Sequence, residues 1–107
     1  MQKLWIGLAF AIFVCLMASS SRAEQAATEQ LYKSKCAMCH GVDGKGQTPV
    51  GQKLGAHDFA SAEVQKQSDA DLAQIIQKGK NKMPAYDGKL KPEEIKDLVG
   101  YIRKFGK

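Results

Sequence analysis

Two cysteines and a histidine lie within five residues of each other in the segment CAMCH: Cys36, Cys39 and His40. Cysteines three residues apart can bind a zinc ion or form a redox-active disulfide, and with a histidine directly after them they can attach a haem. The remainder of the sequence has to distinguish between these three chemistries.

Zinc and redox-disulfide chemistry both fit the surrounding sequence poorly. A structural zinc site normally has four ligands. Cys36, Cys39 and His57 give three, and His40 is too close in sequence to Cys39 to complete the tetrahedron easily. A thioredoxin-like motif opens a helix in a βαβ unit, where the helix dipole lowers the pKa of the first thiol. The cysteine pair of this chain instead closes a predicted helix, and no alternating strand pattern occurs in the sequence.

The haem interpretation accounts for all three residues. In a Cys-x-x-Cys-His motif the two thiols add to the two vinyl groups of one porphyrin, and the adjacent imidazole binds the iron. The spacing therefore predicts one covalent haem c, attached through Cys36 and Cys39, with His40 on the iron.

The second axial ligand decides between electron transfer and the binding of small molecules. Met38 lies inside the motif and cannot span to the far face of the ring, and His57 is better explained as a loop histidine. Met83 stands in a polar, lysine-rich loop, is followed by Pro84 and has no helical periodicity around it. Because this loop gives Met83 no obvious core to fill, it is the preferred candidate.

The N-terminus has the pattern of a signal peptide. Lys3 precedes an uncharged apolar run, and a small-residue stretch ends at Ala23. We predict a cleaved leader over residues 1–23 and a single domain over 24–107; the alternative is an uncleaved N-terminal anchor. Cleavage of 23 of the 107 residues leaves 84, and the loss of Lys3 and Arg22 reduces the net charge from +5 to +3. A domain of this size commonly needs a cofactor or another staple for stability.

Apolar periodicity and capping residues predict three main helices. The first spans about 25–38, the second follows Ser68 and stops at Gly79, and the third begins at Pro92 and carries an apolar stripe along one side. A helical turn is expected at 61–66, and the glycine-rich stretch 41–59 and the stretch 80–90 are expected to be loops. The predicted fold class is all-α.

Taken together, these features resemble those of the class I cytochromes c, small soluble proteins with one haem. The motif CAMCHG, the loop GKNKMPAY and a C-terminal amphipathic helix ending LVGYIRKF carry the resemblance, in that order and across the predicted mature domain. It implies three main helices and short helical turns around a covalent haem, with Cys36 and Cys39 in thioethers and His40 and Met83 as axial ligands. It also implies that the carbonyl of Pro49 accepts a hydrogen bond from the ring of His40.

The helix crossing of that family is matched in part. Tyr32 in the first helix and Leu98 and Tyr101 in the last correspond to the family's contact between terminal helices. Thr28 stands where the family usually has glycine. We expect Gly100 on the other helix to preserve the close approach.

The resemblance implies a periplasmic electron carrier, without enzymatic activity, that shuttles single electrons between redox partners. The rival interpretation is a haem enzyme or ligand sensor in which Met83 does not bind iron. Lysines flank both loops that should border the haem and predict docking to acidic redox proteins, including transient contact with membrane-bound complexes; an ordinary solvated surface is the alternative. The small net charge and dispersed lysines argue against nucleic-acid binding, and a monomer is expected.

Overall fold

The computed structural model describes residues 21–107, which form helices joined by turns. The helices in this part of the chain are α1 (described over 21–35), α2 (Ala37–His40), α3 (Pro49–Leu54), α4 (Ala62–Gln65), α5 (Asp69–Lys78) and α6 (Pro92–Lys104). The only β structure within these residues is two isolated bridges, and no strand is present among them. The predicted all-α fold class is confirmed.

The two long C-terminal helices begin and end where the sequence predicts. The side chain of Ser68 accepts a hydrogen bond from the backbone N–H of Asp71 at the start of α5, and Gly79 ends this helix. At α6, Pro92 occupies the first turn and the carboxylate of Glu94 accepts from the N–H of Lys91 at 2.8 Å. These caps satisfy N–H groups that the helices themselves leave unpaired.

Helices α5 and α6 pack against each other, and the core lies between them and α1. Tyr32 of α1 and Leu98 of α6 are the most deeply buried large side chains, each 1% exposed. The other buried apolar residues are Phe59, Val64, Leu72, Ile76, Leu90, Ile95, Val99 and Ile102. The apolar stripe predicted for the last helix is therefore its buried face.

The expected contact between α1 and α6 is present, but it does not depend on Gly100. The ring of Tyr32 lies 4.7 Å from that of Tyr101, centroid to centroid. A Cβ placed on Gly100 meets no atom of the described residues within 4 Å, and the residue is exposed. The expectation that Gly100 replaces the glycine missing at Thr28 is wrong, because the helices meet through the aromatic rings rather than at Gly100.

Two predicted boundaries also differ from the structure. The first helix stops at residue 35 instead of 38, and the chain resumes helical geometry in α2 after Cys36. The stretch 41–59 is not all loop, since it contains α3. Thr48 caps α3 through its side chain, and Gly55 ends it with a left-handed backbone, φ 75°.

Most of the predicted signal peptide, residues 1–20 of 1–23, lies outside the described residues. Its last three residues belong to α1. No helix within residues 21–107 combines the length and the apolar character needed to cross a bilayer.

Candidate functional site

Cys36 lies between α1 and α2, and Cys39 and His40 are the last two residues of α2. The carbonyl of Cys36 accepts from the N–H of His40 at 3.0 Å, so one turn of helix separates these residues. Both cysteines are half-buried free thiols. Burial, followed by the neighbouring Cys39, raises the pKa of the Cys36 thiol to about 11. A redox-active cysteine has a lowered pKa instead, so this environment does not support disulfide-exchange chemistry.

Helix α3 holds the motif from the side. The Thr48 hydroxyl donates toward the carbonyl of Met38 at 2.7 Å and of Cys39 at 3.0 Å, and accepts from the N–H of Gly51 at 2.8 Å. A Cβ on Gly51 would collide with the carbonyl of Cys39. The glycine in α3 therefore permits the close approach of the two helices.

His40 is held in one orientation by the segment that follows α3. Its Nδ1 lies 3.3 Å from the carbonyl oxygen of His57, and its ring stacks on Phe59 with centroids 4.2 Å apart. Because a carbonyl only accepts, Nδ1 carries the proton and Nε2 keeps its lone pair. Burial lowers the pKa of His40 and favours this neutral form, which is the one that binds metal.

Pro49 does not have the role that the resemblance implies. It is the first residue of α3, its side chain is exposed, and the carbonyl hydrogen-bonded to His40 belongs to His57. A carbonyl in the first turn of a helix is directed along the helix axis toward the next turn, which explains why Pro49 does not reach the imidazole.

Met83 lies in a tight turn after α5. Its N–H donates to the carbonyl of Lys80 at 2.9 Å, and its carbonyl accepts from the N–H of Lys80 at 3.2 Å. Gly79, with φ 76°, opens the turn: a Cβ there would lie 2.7 Å from the carbonyl oxygen of Met83. Asn81 adopts a left-handed backbone with φ 54° at its tip. Met83 is partly buried and packs against the hydrophobic core.

The structure brings the predicted ligands together in one cavity. Cys36, Cys39, His40 and Met83 all line it, and its volume is about 960 Å³ including the open mouth. Pro49 is absent from its lining, whereas His57 is present. Leu54, Val64 and Ile75 supply apolar walls, and Lys35, Lys80 and Lys82 contribute to the rim. Two thiols and an imidazole beside an apolar cleft fit a covalently attached haem, and the thioether of Met83 is a further donor group in the same lining.

Several residues that shape this site cannot be identified from the sequence alone. The role of His57 rests on its backbone carbonyl, and every residue has one. Phe59 is one of four phenylalanines, and only the fold shows that it stacks on His40.

Comparisons with known proteins show the family of the chain. Cytochrome c6 from Nostoc sp. is 31% identical over 96 residues, covering 89% of this chain and 84% of that protein. A solved structure titled KustC0563 c-type cytochrome superposes with a TM-score of 0.68 and 44% identity, covering 74% of this chain and 96% of that one. The chain therefore belongs to the cytochrome c family and is a small class I cytochrome c.

Within this family, residues 23–102 match the profile described as cytochrome C oxidase, cbb3-type, subunit III. The Cbb3-type cytochrome c oxidase subunit FixPc of Rhizobium leguminosarum bv. viciae is 33% identical over 82 residues, which are 75% of this chain but 27% of that protein. As a member of this family the chain carries one haem c with its iron, attached covalently through Cys36 and Cys39.

Proposed function

We propose that the chain is a periplasmic electron carrier whose iron is bound by His40 and Met83. One observation carries this proposal: Met83, from a loop far along the chain, lines the same cavity as His40 and the two cysteines. Its turn is closed by two hydrogen bonds between backbone groups, which hold the backbone of Met83 at the edge of the cavity.

Each side chain has a definite task in this arrangement. Cys36 and Cys39 would hold the haem through thioether bonds, and Nε2 of His40 and the sulfur of Met83 would be the protein ligands of its iron. Haem supplies one-electron chemistry, in which its iron alternates between the ferric and ferrous states. The Met83 thioether and the apolar walls both favour the less charged, reduced state and so raise the reduction potential.

Two protein ligands leave no coordination position for a substrate, and this supports a carrier rather than an enzyme. The redox partner would then be another protein. Lys35, Lys80 and Lys82 are exposed at the rim of the cavity, where they would steer a partner with an acidic docking surface. The name of the FixPc relative indicates an oxidase, and we propose membrane-bound redox complexes as transient partners of a monomeric carrier. We propose that the domain over 24–107 reaches the periplasm after cleavage of residues 1–23.

Visible spectra of the purified ferric and ferrous protein test the proposal. A Met–iron bond gives ferric cytochromes c a weak charge-transfer band at the red end of the visible spectrum. The band should be present, and the ferrous protein should not bind carbon monoxide at neutral pH. A protein without the band that binds carbon monoxide readily would instead be a haem enzyme or ligand sensor.

A further inference from the structure

Tyr86 connects two walls of the cavity that are far apart in the chain. Its hydroxyl donates to the carbonyl of Lys35 at 2.9 Å. Lys35 is the last residue of α1 and directly precedes the first cysteine of the motif, whereas Tyr86 follows Met83 by three residues; all three residues line the cavity. Within the described residues, no other hydrogen bond joins the loop 79–90 to α1 or α2. This one contact therefore ties the methionine side of the cavity to the cysteine side.

The carbonyl of Lys35 is available to Tyr86 because α1 ends at Lys35. In a continuous helix this carbonyl would accept from the N–H of Cys39, but that N–H donates to the carbonyl of Cys36 at 3.3 Å. The last carbonyls of a helix have no partner within the helix, and a side chain from another segment can supply one. Tyr86 therefore pairs with a main-chain group directly beside the first haem-binding cysteine.

The backbone of Tyr86 is anchored on α5. Its N–H donates to the carbonyl of Ile76 at 3.0 Å, and its carbonyl accepts from the N–H of Leu90 at 3.0 Å. Its ring is partly buried and packs against the hydrophobic core. Because only two residues separate Met83 from Tyr86, a displacement of Met83 out of the cavity pulls on this anchor.

We propose that Tyr86 is a positioning residue: its hydroxyl bond to Lys35 keeps the loop that carries Met83 closed against α1 and so slows the replacement of Met83 by an external ligand. The inference rests on the proposed ligation of iron by His40 and Met83. Replacement of Met83 requires the loop to open locally, and a loop opens less often when its opening breaks a hydrogen bond. Tyr86 acts through the position of the loop and contributes no ligand.

The test compares Tyr86→Phe with Tyr32→Phe in the ferric haem protein. Each substitution removes one hydroxyl that donates to a backbone carbonyl, but the partner of Tyr32 is Gly41, outside the loop. Imidazole is the external ligand, and its binding rate at saturating concentration measures how often Met83 leaves the iron. Tyr86→Phe should raise this rate about two- to fivefold, as the loss of one partly exposed hydrogen bond predicts. Tyr32→Phe should leave the rate unchanged, although it makes the protein less stable to urea.

The possible results separate this inference from the proposed function. Equal rates in the wild type and Tyr86→Phe, or equal acceleration by both substitutions, would overturn the role of Tyr86. A wild-type rate that rises linearly with imidazole and reaches no plateau would indicate an open coordination position. That result would overturn the proposed ligation by Met83 itself.

Native-state hydrogen exchange of the wild-type haem protein decides the case if Tyr86→Phe does not fold. The N–H groups of Met83 and Tyr86 should exchange with the same free energy of opening, because the loop opens together with its anchor. If the N–H of Met83 opened at a lower free energy than that of Tyr86, the loop would move without its anchor and the inference would be overturned.

Discussion

Lys80 and Met83 pair their main chains in both directions: the N–H of each donates to the carbonyl of the other, at 3.2 and 2.9 Å. The pair closes a turn between α5 and the segment that leads to α6. These bonds fix the backbone from which the Met83 side chain extends, so the residues that permit the turn should matter as well as Met83 itself.

Gly79 offers the most direct test of that dependence. Gly79→Ala places a Cβ 2.7 Å from the carbonyl oxygen of Met83, so the turn must shift and the Met–iron band of the ferric protein should weaken or disappear. Gly88→Ala is the control, because Gly88 has the same φ of 76° and open space around its Cβ position. Both variants should lose about 1 kcal/mol to the left-handed backbone, but only Gly79→Ala should change the spectrum. A normal band in Gly79→Ala would contradict this account.

The buried hydroxyl of Tyr32 should make the stability of the protein depend on pH in the alkaline range. Its hydroxyl is buried and donates to the carbonyl of Gly41 at 2.6 Å, and burial raises the pKa of Tyr32 well above its ordinary value of 10.0. Above pH 10 the unfolded chain releases this proton while the folded chain retains it, so the raised pKa makes the wild-type protein less stable as pH rises. Tyr32→Phe should cost about 1 kcal/mol at pH 7, because it removes one hydrogen bond to a carbonyl that keeps its second bond, from the N–H of Gly44. The same substitution should flatten the decline in stability at alkaline pH, because it removes the titrating group. Urea unfolding of the wild type and of Tyr32→Phe at several pH values measures the free energy of unfolding of each. If this free energy fell equally steeply with pH above 10 in both proteins, the linkage to Tyr32 would be refuted.

Arg103 connects α6 to the end of α4 and to the start of α5. Its guanidinium donates to the carbonyl of Gln65, the last residue of α4, to the carbonyl of Gln67 and to the carboxylate of Asp69 at 2.9 Å. Asp69 is 78% exposed, so the ion pair should contribute little, whereas the two carbonyls lose their partner if the guanidinium is removed. Arg103→Met should cost about 2 to 3 kcal/mol in urea unfolding. Asp69→Asn and Lys104→Met should each cost less than about 1 kcal/mol, and similar losses in all three would contradict this assignment.

The lysines at the cavity rim predict a salt-dependent reaction with acidic partners. The bimolecular rate of electron exchange should fall as ionic strength rises, because salt screens long-range attraction. The double variant Lys80→Gln with Lys82→Gln should react more slowly at low salt and show a shallower dependence. Lys104→Gln with Lys107→Gln removes the same charge away from the cavity lining and serves as the control. Equal slopes for the two double variants would indicate an ordinary solvated surface.

The parts of the fold that sequence predicts are those with local signals. Ser68 and Gly79 bound α5, and Pro92 with the following apolar stripe defines α6, since caps and periodicity are properties of neighbouring residues. The sequence does not predict helix α3, because the glycines of the stretch 41–59 indicate a loop. Gly51 occurs in that helix for a tertiary reason, its contact with Cys39, which no local pattern reveals.

The site, like the fold, has residues that the sequence identifies and others that only the folded structure shows. Cys36, Cys39 and His40 are identified by spacing, and Met83 by its isolation in a polar loop; the structure brings all four to one cavity. The resemblance implies that Pro49 supplies the hydrogen-bond acceptor for His40, whereas in the structure the carbonyl of His57 lies beside Nδ1. Backbone carbonyls have no residue-type signature, so the acceptor can be identified only from the folded main chain.

The central claim, that Met83 binds the iron opposite His40, is tested most directly by Met83→Ala beside Met38→Ala. Met38 is 73% exposed and lies inside the haem-binding motif, so its loss controls for removal of a nearby thioether. Ferric spectra and midpoint potentials of both variants are compared with the wild type. We predict that Met83→Ala loses the charge-transfer band and lowers the potential by on the order of a hundred millivolts, whereas Met38→Ala retains both wild-type properties. A Met83→Ala protein with an unchanged band and potential would contradict the account.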